Sequence, residues 1–254
     1  MPPIRRFLLG CDLAKSLDYT SFAVIEMDSP DDNSDAVYHL VGLDRIQGVD
    51  YPTITDLILS TIKRLERETG VKDGPHLCLD ASGLGAPIRD YLKATDVFGG
   101  RYSSCGWGTS RTTPSGRAAQ EARDTTPEQK VTAKEIYPVV FTGGEQKRHD
   151  EVTGNYNISK TLIFSNVLSL MQHRRFDYAQ DLEALPLLEK EIASFKYHLT
   201  AAGHIGMDAE SGAHDDLLCA VAIPLIIAEW KYNRQRGWQS SGWLPPIDQP
   251  EGIF

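Results

Sequence analysis

Residues 6–26, RFLLGCDLAKSLDYTSFAVIE, decide the fold. They contain the β-favourable run Phe7 to Leu13 and, after a short polar segment, all but the last residue of a second run, Phe22 to Met27. A third run, Val37 to Leu43, follows the turn-forming residues 28–35, DSPDDNSD. Apolar runs separated by such turns predict a three-stranded antiparallel meander.

Helical and strand patterns alternate after the meander. Apolar residues recur at helical spacing from Ile54 to Leu65, with Thr53 or Thr55 as the candidate N-cap. The pattern then predicts an α/β fold, in which a mixed five-stranded sheet of three antiparallel strands followed by parallel strands is flanked by helices. The later elements are a strand from Pro75 to Asp80, a helix with Ile88 and Leu92, a strand from Tyr137 to Thr142, a helix carrying Ile158 to Met171, a strand from Arg175 to Tyr178, a helix with Leu188, Ile192 and Phe195, a hairpin over 198–207 and a last apolar helix.

Residues 99–135 interrupt the alternation with a segment rich in Gly, Ser, Thr, Arg and Gln. A connection of about 35 residues is too long for a compact domain, so we predict an insertion or mobile loop. Residues 1–235 then form a single domain around it. The Trp-, Pro- and Gly-rich residues 236–254 are predicted to form an extended C-terminal tail.

Composition excludes several classes of protein. The longest apolar run, residues 217–228, contains Pro224 and falls short of the roughly 20 residues that span a bilayer, so no membrane association is expected. Four cysteines at irregular spacing predict neither a disulfide framework nor a zinc site, which favours a reducing, cytoplasmic compartment.

Acidic residues stand at the ends of three distant elements. Asp12 ends the first strand, Asp80 ends the strand before the glycine turn, and Asp215 and Asp216 open the last helix. Asp80 and the paired acids have purely structural explanations: Asp80 before Ser-Gly suits an Asx turn, and Asp215 and Asp216 at a helix start suit capping. Asp12 is harder to explain in this way, because it is framed by apolar residues where an unpaired charge is costly. Together the acids predict one metal site.

Three segments carry a resemblance to a known family: LGCDLAKSLDYTSFAVIE, LCLDASGLGAPIRDYL and GAHDDLLCAVAIPL. Their order resembles the ribonuclease H-like nuclease domain of tailed-phage terminase large subunits. The resemblance implies an endonuclease that cuts double-stranded viral DNA concatemers during genome packaging, in the cytoplasm of an infected bacterial host. It also implies three partners besides DNA: a packaging ATPase domain or subunit, a small terminase subunit and the portal.

The resemblance implies hydrolysis with two divalent cations, Mg²⁺ or Mn²⁺, which prefer oxygen ligands. In that scheme Asp12 bridges the ions, Asp80 binds one, and Asp216, with Asp215 beside it, binds the other. Asp12, Asp80 and Asp216 are therefore the predicted catalytic residues, although the sequence leaves open which of the last two acids contacts metal. Asp18 and His214 are expected to support the site from a second layer.

Basic residues predict where DNA would bind, despite a net charge of −9. Residues 100–175 contain 11 Lys or Arg and 7 Asp or Glu, a net charge of +4. Phosphate contacts from such residues give salt-sensitive binding without sequence preference, whereas a solvated loop is the simpler explanation. The candidates are Lys147, Arg148, Lys160, Arg174 and Arg175.

Three alternatives remain open at this stage. The first is a non-catalytic module that docks on DNA or the portal. The second is a RuvC-like junction resolvase with the same metal chemistry. The segment GCDLAKS also resembles the first phosphate loop of actin-like ATPases and sugar kinases, but a second such loop is missing. No G-x-x-x-x-G-K-[ST] motif occurs, so this chain is not expected to translocate DNA unaided.

Overall fold

A computed structural model describes nine segments of the chain, which contain ten strands and five α-helices. The described residues are 4–13, 19–29, 35–71, 74–83, 85–98, 134–143, 147–199, 205–209 and 214–232. The strands are β1 (Ile4–Asp12), β2 (Tyr19–Ser29), β3 (Val37–Gln47), β4 (His76–Asp80), β5 (Ile136–Thr142), β6 (Lys147–His149), β7 (Tyr156–Ser159), β8 (Phe176–Tyr178), β9 (Phe195–Leu199) and β10 (Ile205–Ala209). The helices are α1 (Tyr51–Thr69), α2 (Gly85–Lys93), α3 (Lys160–Gln172), α4 (Leu185–Ser194) and α5 (Asp216–Lys231), with a single 3₁₀ turn at Asp96–Phe98.

Eight strands form one mixed sheet in the order β6-β7-β5-β4-β1-β2-β3-β8. Strands β1, β2 and β3 pair antiparallel, while β4, β5 and β7 follow β1 in parallel. The predicted mixed sheet, with its antiparallel meander and later parallel strands, is confirmed. It is larger than the five strands predicted, because β6, β7 and β8 extend its two edges. The predicted hairpin forms a separate β9–β10 ribbon.

Three predicted boundaries were wrong, each for a local reason. Helix α1 is capped by Asp50, whose carboxylate accepts a hydrogen bond from the Thr53 amide at 3.0 Å, and not by Thr53 or Thr55. Ile158 belongs to β7 rather than to the next helix, since β7 runs to Ser159, which is also the N-cap of α3. Phe195 begins β9 instead of extending α4.

The sheet separates two apolar layers. Alternate residues of β1 point to opposite faces, so Phe7, Leu9 and Cys11 pack against α1 and α2, whereas Leu8 packs with α3, α4 and α5. The same alternation directs Asp12 toward the α5 face. It does so for Asp80 as well, because Cys78 lies in the α5 layer and Leu77 and Leu79 in the other.

Helix α5 is the centre of its layer, and its residues from Leu217 to Glu229 are all buried. It lies against β1, β2 and β4. Gly10 makes this approach possible, because a Cβ there would stand 1.9 Å from the Ala220 carbonyl oxygen. Within the described residues, no helix is long and apolar enough to cross a membrane. Asp18, most of the 99–135 insertion and the 236–254 tail lie outside the described residues.

Candidate functional site

Asp12 and Asp80 end neighbouring parallel strands at the same edge of the sheet. The register pairs Cys11 with Leu79, so the two aspartates follow side by side, on strands about 4.8 Å apart. Asp80 is 9% exposed and Asp12 is half-buried. Two carboxylates at this edge therefore share one partly desolvated space beneath α5.

The start of α5 brings Asp215 and Asp216 to that space. Burial raises the pKa of Asp12 well above its ordinary value, and the negative charges of Asp80, Asp216 and Asp215 raise it further. Lys160 acts in the opposite direction. These effects show that the acids of three distant segments lie near enough to influence Asp12, and their role as one metal site stays a prediction.

Lys160, at the first position of α3, is the cation of this site. Its ammonium nitrogen lies 2.5 Å from an Asp215 carboxylate oxygen. Burial lowers the pKa of Lys160, but the Cys219 sulfur, the bond to Asp215 and the charge of Asp12 raise it overall. In the structure Lys160 pairs with an acid, and its predicted contact with DNA stays a prediction.

Asp80 forms the Asx turn that its sequence suits, and its role as a metal ligand stays a prediction. Its carboxylate accepts a hydrogen bond from the Ser82 amide at 2.7 Å, which is an Asx turn. Burial nevertheless raises the pKa of Asp80, and neither this bond nor the Lys160 charge reverses that shift. Gly85 completes the turn, because a Cβ there would lie 1.9 Å from the Asp80 carbonyl oxygen. The turn holds the carboxylate at the site.

Asp215 occupies the N-cap position of α5, yet its side chain makes no capping hydrogen bond. The carboxylate is directed to Lys160. The capping explanation for Asp215 is therefore wrong. The Leu218 amide instead donates to an oxygen of Glu191 at 2.9 Å, from helix α4.

His214 contacts Asp216, with 3.5 Å between Nδ1 and a carboxylate oxygen, and its ring stands edge-on to Tyr19 at 5.7 Å. This position suits a supporting residue, and that role stays a prediction. Asp216 is 17% exposed in its side chain. It lies within the acidic site rather than on open surface.

Three residues near the acids were missed by sequence reasoning: Ser21, Arg45 and Glu191. Ser21 of β2 pairs directly with Asp12 of β1, and Arg45 of β3 pairs with Ser21. Asp12, Ser21 and Arg45 therefore lie in one row across the sheet. The Ser21 hydroxyl is fully buried and has no hydrogen-bond partner among the described residues. Ser21 and Arg45 can be found from the sequence by following the strand register from Asp12 across β2 and β3, once the length of the turn between β1 and β2 is known. Glu191 carries no such signal.

Arg45 and Glu191 are linked at the end of that row. The Arg45 guanidinium lies 4.1 Å from the Tyr19 ring centre and 3.8 Å from a Glu191 oxygen. Glu191 is only 6% exposed. Burial raises the pKa of Glu191 to about 7, and the charges of Asp216 and Asp215 act in the same direction.

The remaining predicted DNA contacts do not gather at the acids. Arg175 was wrongly assigned, because its guanidinium is bound at 2.5 Å to the buried Glu229 and also donates to the Ala36 carbonyl oxygen. Lys147 lies 5.0 Å from the Trp230 ring centre, near the opposite end of α5. Arg148 and Arg174 are exposed. Helix α3 separates Arg174 from Lys160 by its full length.

The acids are suited in chemistry to a hard divalent cation, since all are carboxylates. Among the described residues, however, no three His, Cys, Asp or Glu side chains converge as closely as ligands of one ion do. In the structure Asp80 accepts a hydrogen bond from the Ser82 amide, and Asp215 is paired with Lys160.

Comparisons with solved structures find terminase nuclease domains. The large terminase nuclease from thermophilic phage G20c, with bound magnesium, is 17% identical over 87% of this chain and 81% of its own, with a TM-score of 0.47. The Thermus phage P74-26 large terminase nuclease domain is 16% identical over 92% and 84%, with a TM-score of 0.45. The manganese-soaked, inhibitor-bound human cytomegalovirus terminase nuclease domain is 11% identical over 87% and 82%, with a TM-score of 0.43. No family model and no curated protein matches the chain. Identities and TM-scores this low do not transfer a function.

Proposed function

We propose that the chain is a metal-dependent DNA endonuclease of the terminase type, which cuts double-stranded viral DNA concatemers during packaging. One observation carries the proposal: carboxylates from β1, β4 and the start of α5 lie near one edge of the sheet, where the charges of Asp80, Asp215 and Asp216 add to burial in raising the pKa of Asp12. Clustering like charges in a partly buried space is costly unless a cation compensates them. Lys160 supplies one positive charge against four negative ones.

Mg²⁺ or Mn²⁺, two ions in the proposed scheme, would activate water and stabilise the leaving oxygen when bound. Asp12, at the centre of the acids, is the residue suited to face both ions. Asp80 and Asp216 would each hold one, with Asp215 beside them. His214, at 3.5 Å from an Asp216 oxygen, would help to orient that carboxylate, and the Asx turn would do the same for Asp80.

The proposed partners follow from the sequence resemblance. They are double-stranded DNA, a packaging ATPase domain or subunit, a small terminase subunit and the portal, in the cytoplasm of an infected bacterium. Only Lys160 among the predicted basic residues stands with the acids. We therefore expect the domain to bind DNA weakly when it is separated from those partners.

Cleavage of supercoiled plasmid tests the proposal directly. The protein is incubated with Mn²⁺, Mg²⁺ or EDTA, and wild type is compared with Asp80→Asn, which keeps the shape of the side chain and removes its charge. Asp56→Asn, on the exposed face of α1, is the matched control. Metal-dependent nicking that is lost in Asp80→Asn and kept in Asp56→Asn is the expected result.

Two other outcomes would point elsewhere. A folded protein that binds DNA but cuts with neither ion, alone or with an added packaging ATPase, would favour the docking module. A strong preference for four-way junctions over linear duplex would favour the resolvase.

A further inference from the structure

Helix α5 has an unusual way of satisfying its first turn. The first amides of any α-helix lack partners within the helix, and an N-cap Asp normally accepts a hydrogen bond from the second or third of them. Asp215 is the N-cap of α5, and Leu218 is the third residue of the helix. Asp215 leaves this amide to another acceptor, because its own carboxylate lies 2.5 Å from the Lys160 ammonium.

Glu191 is that acceptor. It stands on α4, and its Oε2 receives the Leu218 amide hydrogen bond at 2.9 Å. A glutamate that is only 6% exposed is costly to bury without a compensating interaction, and this bond supplies one. The nearby Arg45, at 3.8 Å from the other carboxylate oxygen, supplies a second.

We propose that Glu191 is a positioning residue that caps α5 from the neighbouring helix and thereby leaves the Asp215 carboxylate free to serve the acidic site. This inference rests on the proposed metal-dependent function. Without Glu191, the buried Leu218 amide would lack an acceptor. The Asp215 side chain, already at the N-cap position, would turn to it and leave Lys160 and the other acids.

Mn²⁺ affinity, measured by calorimetry without DNA, tests the inference. Glu191→Met keeps the side-chain volume and removes the acceptor, and it is expected to weaken Mn²⁺ binding by about tenfold or more, as loss of supporting residues around metal ligands does. Glu191→Gln retains a carbonyl oxygen for Leu218 and is expected to stay within about threefold of wild type. Glu191→Asp keeps the charge, but its side chain is one methylene too short to reach the Leu218 amide, so it should also weaken Mn²⁺ binding. It replaces the Met variant in the test if that variant does not fold.

Two controls separate positioning from general damage. Leu188→Ala, at a fully buried position of the same helix, should lower the melting temperature and leave Mn²⁺ affinity unchanged. In an Asp215→Ala background, Glu191→Met should have no further effect on affinity, because it acts through Asp215.

The outcomes for the inference and for the proposed function are distinct. If Asp80→Asn loses Mn²⁺ binding while Glu191→Met and Glu191→Asp bind as wild type does, Glu191 is only structural and the inference fails. If the folded wild-type protein binds no Mn²⁺, the proposed function and the inference fail together.

Discussion

Gly10→Ala is a small change for which the structure predicts a severe effect. The added Cβ would stand 1.9 Å from the Ala220 carbonyl oxygen and 2.7 Å from Pro224 Cδ. Contacts of this kind are rarely shorter than 3.0 to 3.4 Å, so β1 and α5 must separate by 1.1 to 1.5 Å (3.0 − 1.9 and 3.4 − 1.9). The obstacle is backbone and a proline ring, which no rotamer change can move aside.

The separation has a cost in stability and another in activity. Overpacking in a core costs about 1–3 kcal/mol, and a backbone clash belongs at or above the upper end, so we expect the free energy of unfolding to fall by about 3 kcal/mol. At about 2–4 °C per kcal/mol, the melting temperature should fall by about 6–12 °C. Because β1 carries Asp12 and α5 carries Asp215 and Asp216, a shift near 1 Å should reduce cleavage about 100-fold.

Urea unfolding and plasmid cleavage in Mn²⁺, on the same preparation, measure both effects. Gly143→Ala is the matched control, since a Cβ at Gly143 would have nothing within 4 Å. That variant should equal wild type or gain about 0.4–1 kcal/mol. Wild-type stability and cleavage in Gly10→Ala would refute the argument that close packing of β1 against α5 sets the spacing of the acids.

Three further predictions concern charge. The pKa of Glu191 is raised from 4.5 to about 7, so its contribution to stability is full below pH 4.5 and is lost as the pH rises through 7. The melting temperature in EDTA should therefore fall between pH 5 and 8, and Glu191→Gln should reduce that fall. Arg175→Met removes the cation paired with the buried Glu229, which keeps the Tyr38 hydroxyl hydrogen bond, and should cost about 3–5 kcal/mol in urea unfolding, without changing the salt dependence of DNA binding measured by titration. Lys160→Met removes the charge that lowers the pKa of Asp12, so the acid limb of the pH–cleavage profile should move to higher pH; an unmoved limb would contradict this.

The parts of the site predicted from sequence are those marked at the ends of elements. Asp12 and Asp80 end apolar strands, and Asp216 begins an apolar helix, so local pattern was enough to find them. The antiparallel meander was predictable for the same reason, since short polar turns separate its strands.

The parts that sequence missed depend on contacts between distant segments. Glu191 lies in a helix of ordinary composition, and only packing of α4 on α5 brings it to the Leu218 amide, 27 residues later. Arg175 was predicted to be a surface cation, because nothing near it in the sequence indicates its ion pair with the buried Glu229. Strands β6 and β7, the last two on one side of the sheet, are three and four residues long, too short for a periodic signal.

Pro224 gives the contact between α5 and β1 an evolutionary consequence. A proline has no N–H, so residue 224 cannot donate the usual helical hydrogen bond to the Ala220 carbonyl, which is the oxygen that meets Gly10. A larger residue at position 10 would therefore need simultaneous changes on the helix. We expect positions 10, 220 and 224 to vary together in descendants of this sequence, so that redesign of the site must treat them as one unit.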